Sequence, residues 1–365
     1  MIARPLFAFA AAMLLAAAAW AQKPVVNMFN WPGYVPAPVI KAFEKQDNIN
    51  VLYNTFESNE VLDAALRDNK PLYDVVAPRA KPFLVNQIAD HLYQPLDRSR
   101  LPNYGNLDER ILKLLAVHDP DNQYAVPWMW GTIGIGFNVD KVKRLLPDMP
   151  PDSLRLIFDP NIVSKFKDCG VMVLDSPAEM IPAALRYLGL DPDSKNDADL
   201  AKAADAWRAV RPFIRRFAVA EFTDQLAQGN VCLAFGYSGD IDAARRRAAE
   251  TKGRARITLG YAIPREGAMV WIDALAIPAN APHAENAYKL IDFLLQPQQA
   301  AESAERAGYA TANKAARALL NGETAKNQVL YPPPEVMDKL YVTTSSDRRY
   351  EQQRAHSWNS IKGGK

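Results

Sequence analysis

The chain has 365 residues and a formal net charge of +2, with 43 Lys and Arg against 41 Asp and Glu. This near balance excludes nucleic acid as the main partner, because neutralising phosphates requires a basic surplus. The length exceeds what a single hydrophobic core usually holds, so we expect two lobes or domains.

Residues 1–21 have the pattern of a secretory signal peptide. Arg4 provides the positive start, residues 6–19 are almost entirely Ala, Leu and Phe, and residues 19–21 form an A-x-A cleavage site before Gln22. The alternative, a membrane anchor, is disfavoured because the apolar run is short and ends in small residues. We therefore predict export to the periplasm with removal of the signal peptide.

Predicted strands and helices alternate after the signal peptide. Strands are expected at residues 25–29, 51–56 and 73–77, where β-branched and aromatic residues concentrate. Two amphipathic helices are expected between them, one opened by Pro38 and one capped by Ser58, and the second is expected to pack through Val61, Leu62, Ala65 and Leu66. Strands separated by helices of this size pair in parallel, which indicates an α/β layer.

A glycine-rich segment, residues 124–139, follows this first layer. Its glycines at 131, 134 and 136 do not have the spacing of the G-x-G-x-x-G dinucleotide fingerprint. We interpret the segment as a crossing of the chain between two lobes, because Gly permits the backbone angles that such crossings need.

The α/β alternation then repeats. We expect strands at 171–174, 231–236, 257–264 and 270–277, and helices at 177–188 and 283–295. The C-terminal part from residue 298 is expected to be mostly helical. We assign residues 22–131 and about 256–310 to the first lobe, and residues 132–255 and about 311–365 to the second. Ligands of such folds bind in the crevice between lobes, which closes by hinge motion.

The chain has two cysteines, Cys169 and Cys232. Export favours a structural disulfide between them, whereas a cytosolic protein would keep both reduced. Two cysteines without paired histidines make a poor zinc site, so we expect no metal.

Signatures of catalysis are missing from the sequence. Residues 236–239 do not match G-x-S-x-G, and the four histidines form no ligand pair. The Asp-Pro-Asp sequences at 119–121 and 191–193 lack the Gly and Glu of calcium loops and suit turns. We predict a protein that is not an enzyme and has no cofactor. A periplasmic enzyme of unknown chemistry and a sensor without transport are the alternatives.

Aromatic and acidic residues at strand ends and helix starts are the candidate ligand contacts. They are Trp31, Tyr34, Glu179, Tyr237, Asp240, Trp271, Asp273 and Tyr309. Each one alone also suits a core or helix-capping role. Together they meet the needs of an alkyl diamine, because rings attract ammonium and cover methylenes while carboxylates accept charge-assisted hydrogen bonds.

Many collinear segments resemble the periplasmic putrescine/spermidine-binding proteins of ABC importers, above all the putrescine-binding type. They are Asn30-Trp31-x-x-Tyr34 and residues 58–62, 118–122, 134–140, 266–269, 313–316 and 331–333. The resemblance covers nearly the whole mature chain and implies the two-lobe periplasmic-binding-protein (type II) fold with a ligand cleft between the lobes. It also implies a Cys169–Cys232 disulfide, a monomer, and delivery of the amine to a permease with its ATPase. The candidate contacts named above fall on the pocket of this family.

The chain departs from the family pattern at one end of that pocket. Gly33 stands where the resemblance implies an acid, and Pro32 where it implies a hydroxyl donor. Arg79 and Lys81 stand where it implies serines. One negative charge is therefore lost and up to two positive charges arrive.

Two ligand classes follow from these departures. The leading prediction is a putrescine-like polyamine. The alternative is a carboxylate-bearing or modified amine, with Lys81 or Arg79 as the partner of its anionic group. A further alternative has both basic side chains pointing to solvent on a remodelled loop, which would leave the pocket unaffected.

Overall fold

The structure, a computed structural model, describes residues 23–68, 70–219, 221–250, 257–344 and 348–364. The predicted signal peptide and its cleavage site lie outside these residues. The strands are β1 Val25–Asn30, β2 Asn50–Thr55, β3 Val75–Val76, β4 Ala125–Asn138, β5 Val171–Leu174, β6 Arg216–Ala218, β7 Leu233–Tyr237, β8 Leu259–Ala262, β9 Val270–Ala276 and β10 Ala310–Thr311.

The α-helices of the described chain vary from single turns to fifteen residues. They are α1 Ala37–Asp47, α2 Asn59–Arg67, α3 Val85–Ala89, α4 Glu109–Leu115, α5 Val139–Leu145, α6 Arg155–Phe158, α7 Pro160–Val163, α8 Pro177–Tyr187, α9 Asp197–Val210, α10 Phe222–Ala227, α11 Ser238–Glu250, α12 Ala284–Leu294, α13 Pro297–Ala307, α14 Gly322–Ala325, α15 Pro334–Met337 and α16 Arg348–Lys362. Among the described residues, none of these helices has the length and apolarity needed to cross a membrane.

The strands connect in the order β2-β1-β3-β9-β4-β7-β5-β6, and β8 and β10 also pair with β4. At one end β1 runs parallel to β2 and β3, and at the other β5 runs parallel to β6 and β7. The predicted parallel pairing is confirmed, and the fold is α/β. The central strand β4 pairs antiparallel with its neighbours, which makes the arrangement mixed.

The predicted crossing between lobes is one continuous strand. All fourteen residues of β4 are buried. Its first half, Ala125 to Thr132, pairs with β9, and its second half, Ile133 to Phe137, pairs with β7. Gly131 lies at the change of partner, where an added Cβ would be 2.6 Å from the Trp271 ring. Glycine is needed here for close packing rather than for unusual backbone angles.

The buried apolar side chains form two clusters. One draws on residues 26–130 and 268–340, and the other on residues 133–259 and 350–361 together with Met269 and Trp271. The predicted lobe boundaries stay a prediction, but the packing differs from them in two places. Ala312 to Leu340 pack with the first cluster, whereas we expected the chain from about 311 to belong with the second. Leu259, Met269 and Trp271 pack with the second cluster, whereas we expected residues from about 256 to 310 to belong with the first.

A disulfide joins Cys169 and Cys232, whose Cα atoms are 5.6 Å apart. The two cysteines precede neighbouring parallel strands, since Val171 pairs with Leu233. The predicted disulfide is therefore confirmed within the second cluster.

Three local expectations are wrong. Val61, expected on the packed face of α2, is 49% exposed. The third strand has only two residues, Val75 and Val76, although the backbone N–H groups of the flanking Asp74 and Ala77 still donate to carbonyls of β1. Ser58 precedes α2, but its side chain makes no capping hydrogen bond.

Candidate ligand-binding site

The candidate contacts come from both clusters and meet where the strands end. Trp31 and Tyr34 follow β1, and Trp271 and Asp273 lie in β9. The remaining four lie at helix starts and strand ends: Glu179 in the first turn of α8, Tyr237 at the end of β7, Asp240 in the first turn of α11, and Tyr309 just before β10. The first three lie in the second cluster's part of the chain, and Tyr309 packs against both clusters.

A tight turn holds the first two rings. The backbone N–H of Tyr34 donates to the carbonyl of Trp31 at 3.4 Å, and Gly33 has φ of +76°. Pro at the second position and a left-handed Gly at the third favour this geometry. Pro32 and Gly33 are exposed, and an added Cβ on Gly33 would touch nothing within 4 Å. Pro32 and Gly33, which depart from the family pattern, therefore shape the turn and leave its tip without charge.

The rings of the site form a continuous series. Ring centroids are 6.4 Å apart for Trp31 and Tyr34, and 5.8 Å apart for Tyr34 and Tyr309. The series continues from Tyr309 to Trp271 at 5.1 Å and from Trp271 to Tyr237 at 6.1 Å. These separations are typical of interacting aromatic pairs, so the five rings line one wall.

Each carboxylate of the site accepts a hydrogen bond from a tyrosine. Three hydroxyl–carboxylate pairs are present: Tyr34 with Asp273 at 2.7 Å, Tyr309 with Asp240 at 3.4 Å, and Tyr237 with Glu179 at 3.5 Å. Burial is the main cause that raises the pKa of each of these tyrosines. The hydroxyls therefore stay protonated and act as donors.

Arg79 lies inside this network. Its Nε donates to Asp273 Oδ1 at 3.2 Å, and its Nη1 donates to the Tyr237 hydroxyl at 3.2 Å. Its Cζ lies 5.0 Å from the centroid of the Trp271 ring and 5.3 Å from that of Tyr237. Burial is the largest single influence and lowers the pKa of Arg79, but Asp273 together with Tyr237, Tyr34 and Glu179 outweighs it, so the pKa is raised and the guanidinium stays charged.

The backbone fixes Arg79 in this position. Its N–H donates to Asn59 Oδ1 at 2.9 Å, and Arg79 forms an antiparallel bridge with Asp273. The next residue of β9, Ala274, donates its N–H to the carbonyl of Pro78 at 2.9 Å. Arg79 thus extends the sheet edge and belongs to the wall of the site. Its side chain is 21% exposed, while that of Asp273 is fully buried.

Asp240 is a carboxylate without a salt bridge. No ion pair among the described residues involves it. Burial is the largest influence and raises its pKa from 3.8 to about 6, against smaller opposing effects of Tyr309 and Arg79. Such a shift corresponds to a penalty of up to about 3 kcal/mol for keeping the group ionised at neutral pH. A ligand cation would remove that penalty.

Glu179 is the second carboxylate that lacks a salt bridge among the described residues. It is 8% exposed and accepts a short hydrogen bond from Ser176, the residue preceding α8. Like Asp240, it lies in the first turn of a helix, where the helix dipole favours negative charge. Two negative groups are therefore held on the side of the site that faces Arg79.

Close packing joins Tyr309 to the start of α11. An added Cβ on Gly239 would be 1.9 Å from Tyr309 Cε1, so any other residue would displace the ring. The glycine lets the ring lie on the helix next to Asp240, across the boundary between the two clusters.

Lys81 lies away from these rings. Its Nζ donates to Thr343 Oγ1 at 2.6 Å. Burial, followed by the nearby charges of Arg354 and Lys195, lowers its pKa to about 8. Of the two basic residues expected near the pocket, the structure therefore brings only Arg79 into the network, and neither extends freely into solvent.

Sequence reasoning missed three residues that organise the site. Asn59 holds the backbone of Arg79, Ser176 holds Glu179, and Gly239 receives Tyr309. Asn59 and Ser176 directly precede or begin helices, which is a signal for polar contacts but not for their targets. In the described part of the chain, no group of His, Cys, Asp and Glu is arranged to hold a metal ion.

Comparison with known proteins places this architecture in a family. The family described as bacterial extracellular solute-binding protein matches residues 39–333, which is most of the chain. The chain belongs to this family. Two curated relatives of this solute-binding protein are similar along nearly their whole length. The putrescine-binding periplasmic protein PotF of Escherichia coli (strain K12) is 41% identical over 347 residues, covering 94% of this chain and 93% of PotF.

The second relative is the putrescine/agmatine-binding protein of Pseudomonas aeruginosa (strain PAO1). It is 38% identical, with 95% of this chain and 94% of the relative covered. Among solved structures, the spermidine/putrescine ABC transporter substrate-binding protein PotD of Streptococcus pneumoniae superimposes with a TM-score of 0.82. It is 26% identical and covers 93% of this chain and 99% of PotD. This likeness confirms the periplasmic-binding-protein fold.

Proposed function

We propose that this solute-binding protein captures a small aliphatic amine of the polyamine class in the periplasm and delivers it to the permease and ATPase of an ABC importer. The observation that carries the proposal is the pairing of an aromatic wall with two carboxylates, Glu179 and Asp240, that have no salt bridge among the described residues. The names of the relatives support the same ligand class.

The role of each group follows from its chemistry. The rings of Trp31, Tyr34, Trp271 and Tyr309 cover the methylenes of the ligand and attract its ammonium by cation–π interaction. The carboxylate of Asp240 accepts a charge-assisted hydrogen bond from the ammonium, and Glu179 contributes a further acceptor. The site joins side chains of both clusters, so bound ligand would hold the lobes closed.

Isothermal calorimetry with protein stripped of ligand by unfolding and refolding tests the proposal. The panel is putrescine, cadaverine, agmatine, spermidine, N-acetylputrescine and 4-aminobutanoate. We expect heat with at least one of these amines, and at least about tenfold weaker binding in Asp240→Asn, because a hydrogen bond to a charged group is lost. Asp205→Asn, on the surface of α9, is the matched control for the change of charge.

The proposal fails if no amine of the panel releases or absorbs heat. Mass spectrometry of ligand released from the purified protein identifies the natural occupant independently. Intact mass of the exported protein tests the periplasmic location and should show a chain beginning at Gln22. Light scattering tests the proposed monomer.

A further inference from the structure

We propose that Arg79 takes the place of one ligand ammonium, so that the site selects amines with a single ammonium and an oxygen acceptor at the other end. An N-acylated diamine and an ω-amino acid share this chemistry, and a diamine does not have it. The inference rests on the proposed function and specifies its ligand.

The contacts of Arg79 are those that a bound ammonium would make. A carboxylate accepts from it, and two ring faces lie against its charge at 5.0 and 5.3 Å. Such a combination of carboxylate and aromatic faces is what recognises alkylammonium ligands. The cation position beside Asp273 is therefore already filled by the protein.

Hydrogen-bond counting indicates what must lie next to Arg79. A guanidinium has five N–H donors and no acceptor. Among the described residues, Asp273 and Tyr237 accept one each. The buried indole N–H of Trp271, whose ring lies below the guanidinium, also has no acceptor in the described part of the chain. An amide or carboxylate oxygen would satisfy such donors, whereas a second ammonium has no lone pair to offer.

The charges of the site lead to the same conclusion. Glu179, Asp240 and Asp273 are opposed by one guanidinium, and the N-termini of α8 and α11 each contribute roughly half a positive charge. About one positive charge remains for the ligand to supply. The single ammonium of an N-acylated diamine supplies it, whereas an ω-amino acid adds no net charge, so the charge balance disfavours a dication and favours the N-acylated diamine. A dication would place its second ammonium beside Arg79, where like charges repel.

Arg79 is also not free to move aside as a surface side chain would be. Its backbone is held by Asn59 and by the bridge to Asp273. A displacing ammonium would have to take over the pairing with Asp273, which is fully buried and, among the described residues, otherwise accepts only from the Tyr34 hydroxyl. The displaced guanidinium, tethered by its backbone, would lose its carboxylate partner and both ring faces, so the ligand adapts to Arg79 rather than displacing it.

Calorimetry of the wild-type protein with four ligands that share a four-carbon chain tests the inference. They are putrescine, N-acetylputrescine, 4-aminobutanoate and butylamine. We expect N-acetylputrescine or 4-aminobutanoate to bind at least about tenfold more tightly than both putrescine and butylamine. The two acceptor-bearing ligands distinguish an amide from a carboxylate at the Arg79 end.

Two substitutions provide the second half of the test. Arg79→Ser frees Asp273 for a second ammonium, so putrescine should become the tightest ligand. Arg79→Gln roughly keeps the length of the side chain and loses its charge. It should also shift the ligand preference towards putrescine, and it takes the place of the serine variant in the test if that variant folds poorly. Lys81→Ser is the matched control. It also removes one positive charge, two residues from Arg79, but the side chain of Lys81 donates to Thr343 and is not part of the network around Asp273.

The inference is overturned if wild-type protein binds putrescine more tightly than both acceptor-bearing ligands. It is equally overturned if Arg79→Ser and Arg79→Gln leave the ranking unchanged, or if Lys81→Ser changes it as much. These results are distinct from failure of the proposed function, which is the lack of binding by every amine tested.

Discussion

Replacing Asp240 by Asn should weaken amine binding at neutral pH and at the same time stabilise the ligand-free protein. Both effects have one cause, the burial of a carboxylate that no described residue neutralises with an ion pair. Burial raises the pKa of Asp240 from 3.8 to about 6, which corresponds to up to about 3 kcal/mol at neutral pH.

The sign of the stability effect depends on pH. A carboxyl group whose pKa is higher in the folded chain than in the unfolded chain makes its full contribution to stability below pH 3.8. That contribution is lost as the pH rises through about 6. The free energy of unfolding of Asp240→Asn should therefore exceed that of the wild type above about pH 6. The difference should be small near pH 4 and disappear below about pH 3, where Asp240 is neutral in both the folded and the unfolded state.

The affinity for the amine depends on pH in the opposite direction, because it increases as the pH rises while this contribution to stability decreases. An ammonium binds the ionised carboxylate, so the wild-type Kd should rise about tenfold between pH 7 and pH 5 as Asp240 takes up a proton. In Asp240→Asn the Kd should be high and nearly constant across this range. The Asn side chain keeps an oxygen for the Tyr309 hydroxyl, which limits the change to the charge itself.

Urea unfolding and calorimetry at pH 4, 5, 6 and 7 measure both quantities, using the amine that binds the wild type most tightly. Asp205→Asn is carried through the same series, because it removes a charge from an exposed pair on α9. The reasoning is refuted if Asp240→Asn shows the same pH dependence of Kd as the wild type. It is also refuted if the variant gains no stability over the control at pH 7.

Two further predictions test the packing around the site. Gly239→Ala should weaken amine binding at least tenfold, because its Cβ would lie 1.9 Å from the Tyr309 ring, while Gly105→Ala, which has open space around it, should leave calorimetric affinity unchanged. Equal affinities of the two variants would contradict the packing argument. Reducing the Cys169–Cys232 disulfide, which closes a separation of 63 residues, should lower the free energy of unfolding by about 4 kcal/mol in urea titrations. An unchanged urea midpoint after reduction would show that the cross-link contributes little.

The apolar periodicity of the sequence and the residues that begin or end helices and strands were sufficient to predict most elements of the fold. The strand at Val171–Leu174 and the helix at Pro177–Tyr187 lie where apolar runs and a helix-opening proline predict them. The third strand was predicted too long, because its flanking residues keep single hydrogen bonds to β1 without continuing the regular ladder. The crossing was recognised by its glycines, but the continuous strand was not, because its pairing partners lie far away in sequence.

The sequence was sufficient to predict which residues of the candidate site come together, but not which way its basic side chains point. The sequence indicates which rings and carboxylates gather, and the structure brings all eight candidates into one network of contacts. It does not indicate which of Arg79 and Lys81 enters that network. The difference is set by Asp273, which is 194 positions from Arg79 and pairs with it through both backbone and side chain. Such a non-local pairing leaves no trace in local spacing.

The departures at Gly33 and Arg79 act at the same end of the site. Tyr34, next to Gly33, donates to Asp273, and Arg79 pairs with the other oxygen of that carboxylate. Position 33 lacks the acid that the family pattern implies, and Asp273, the acid that remains nearby, is already neutralised by Arg79. Transferring a diamine ligand from the relatives would require Asp273 to be available to a second ammonium. Because Asp273 is already paired, we propose that the amine end of the ligand lies near Asp240 and that Arg79 determines the other end.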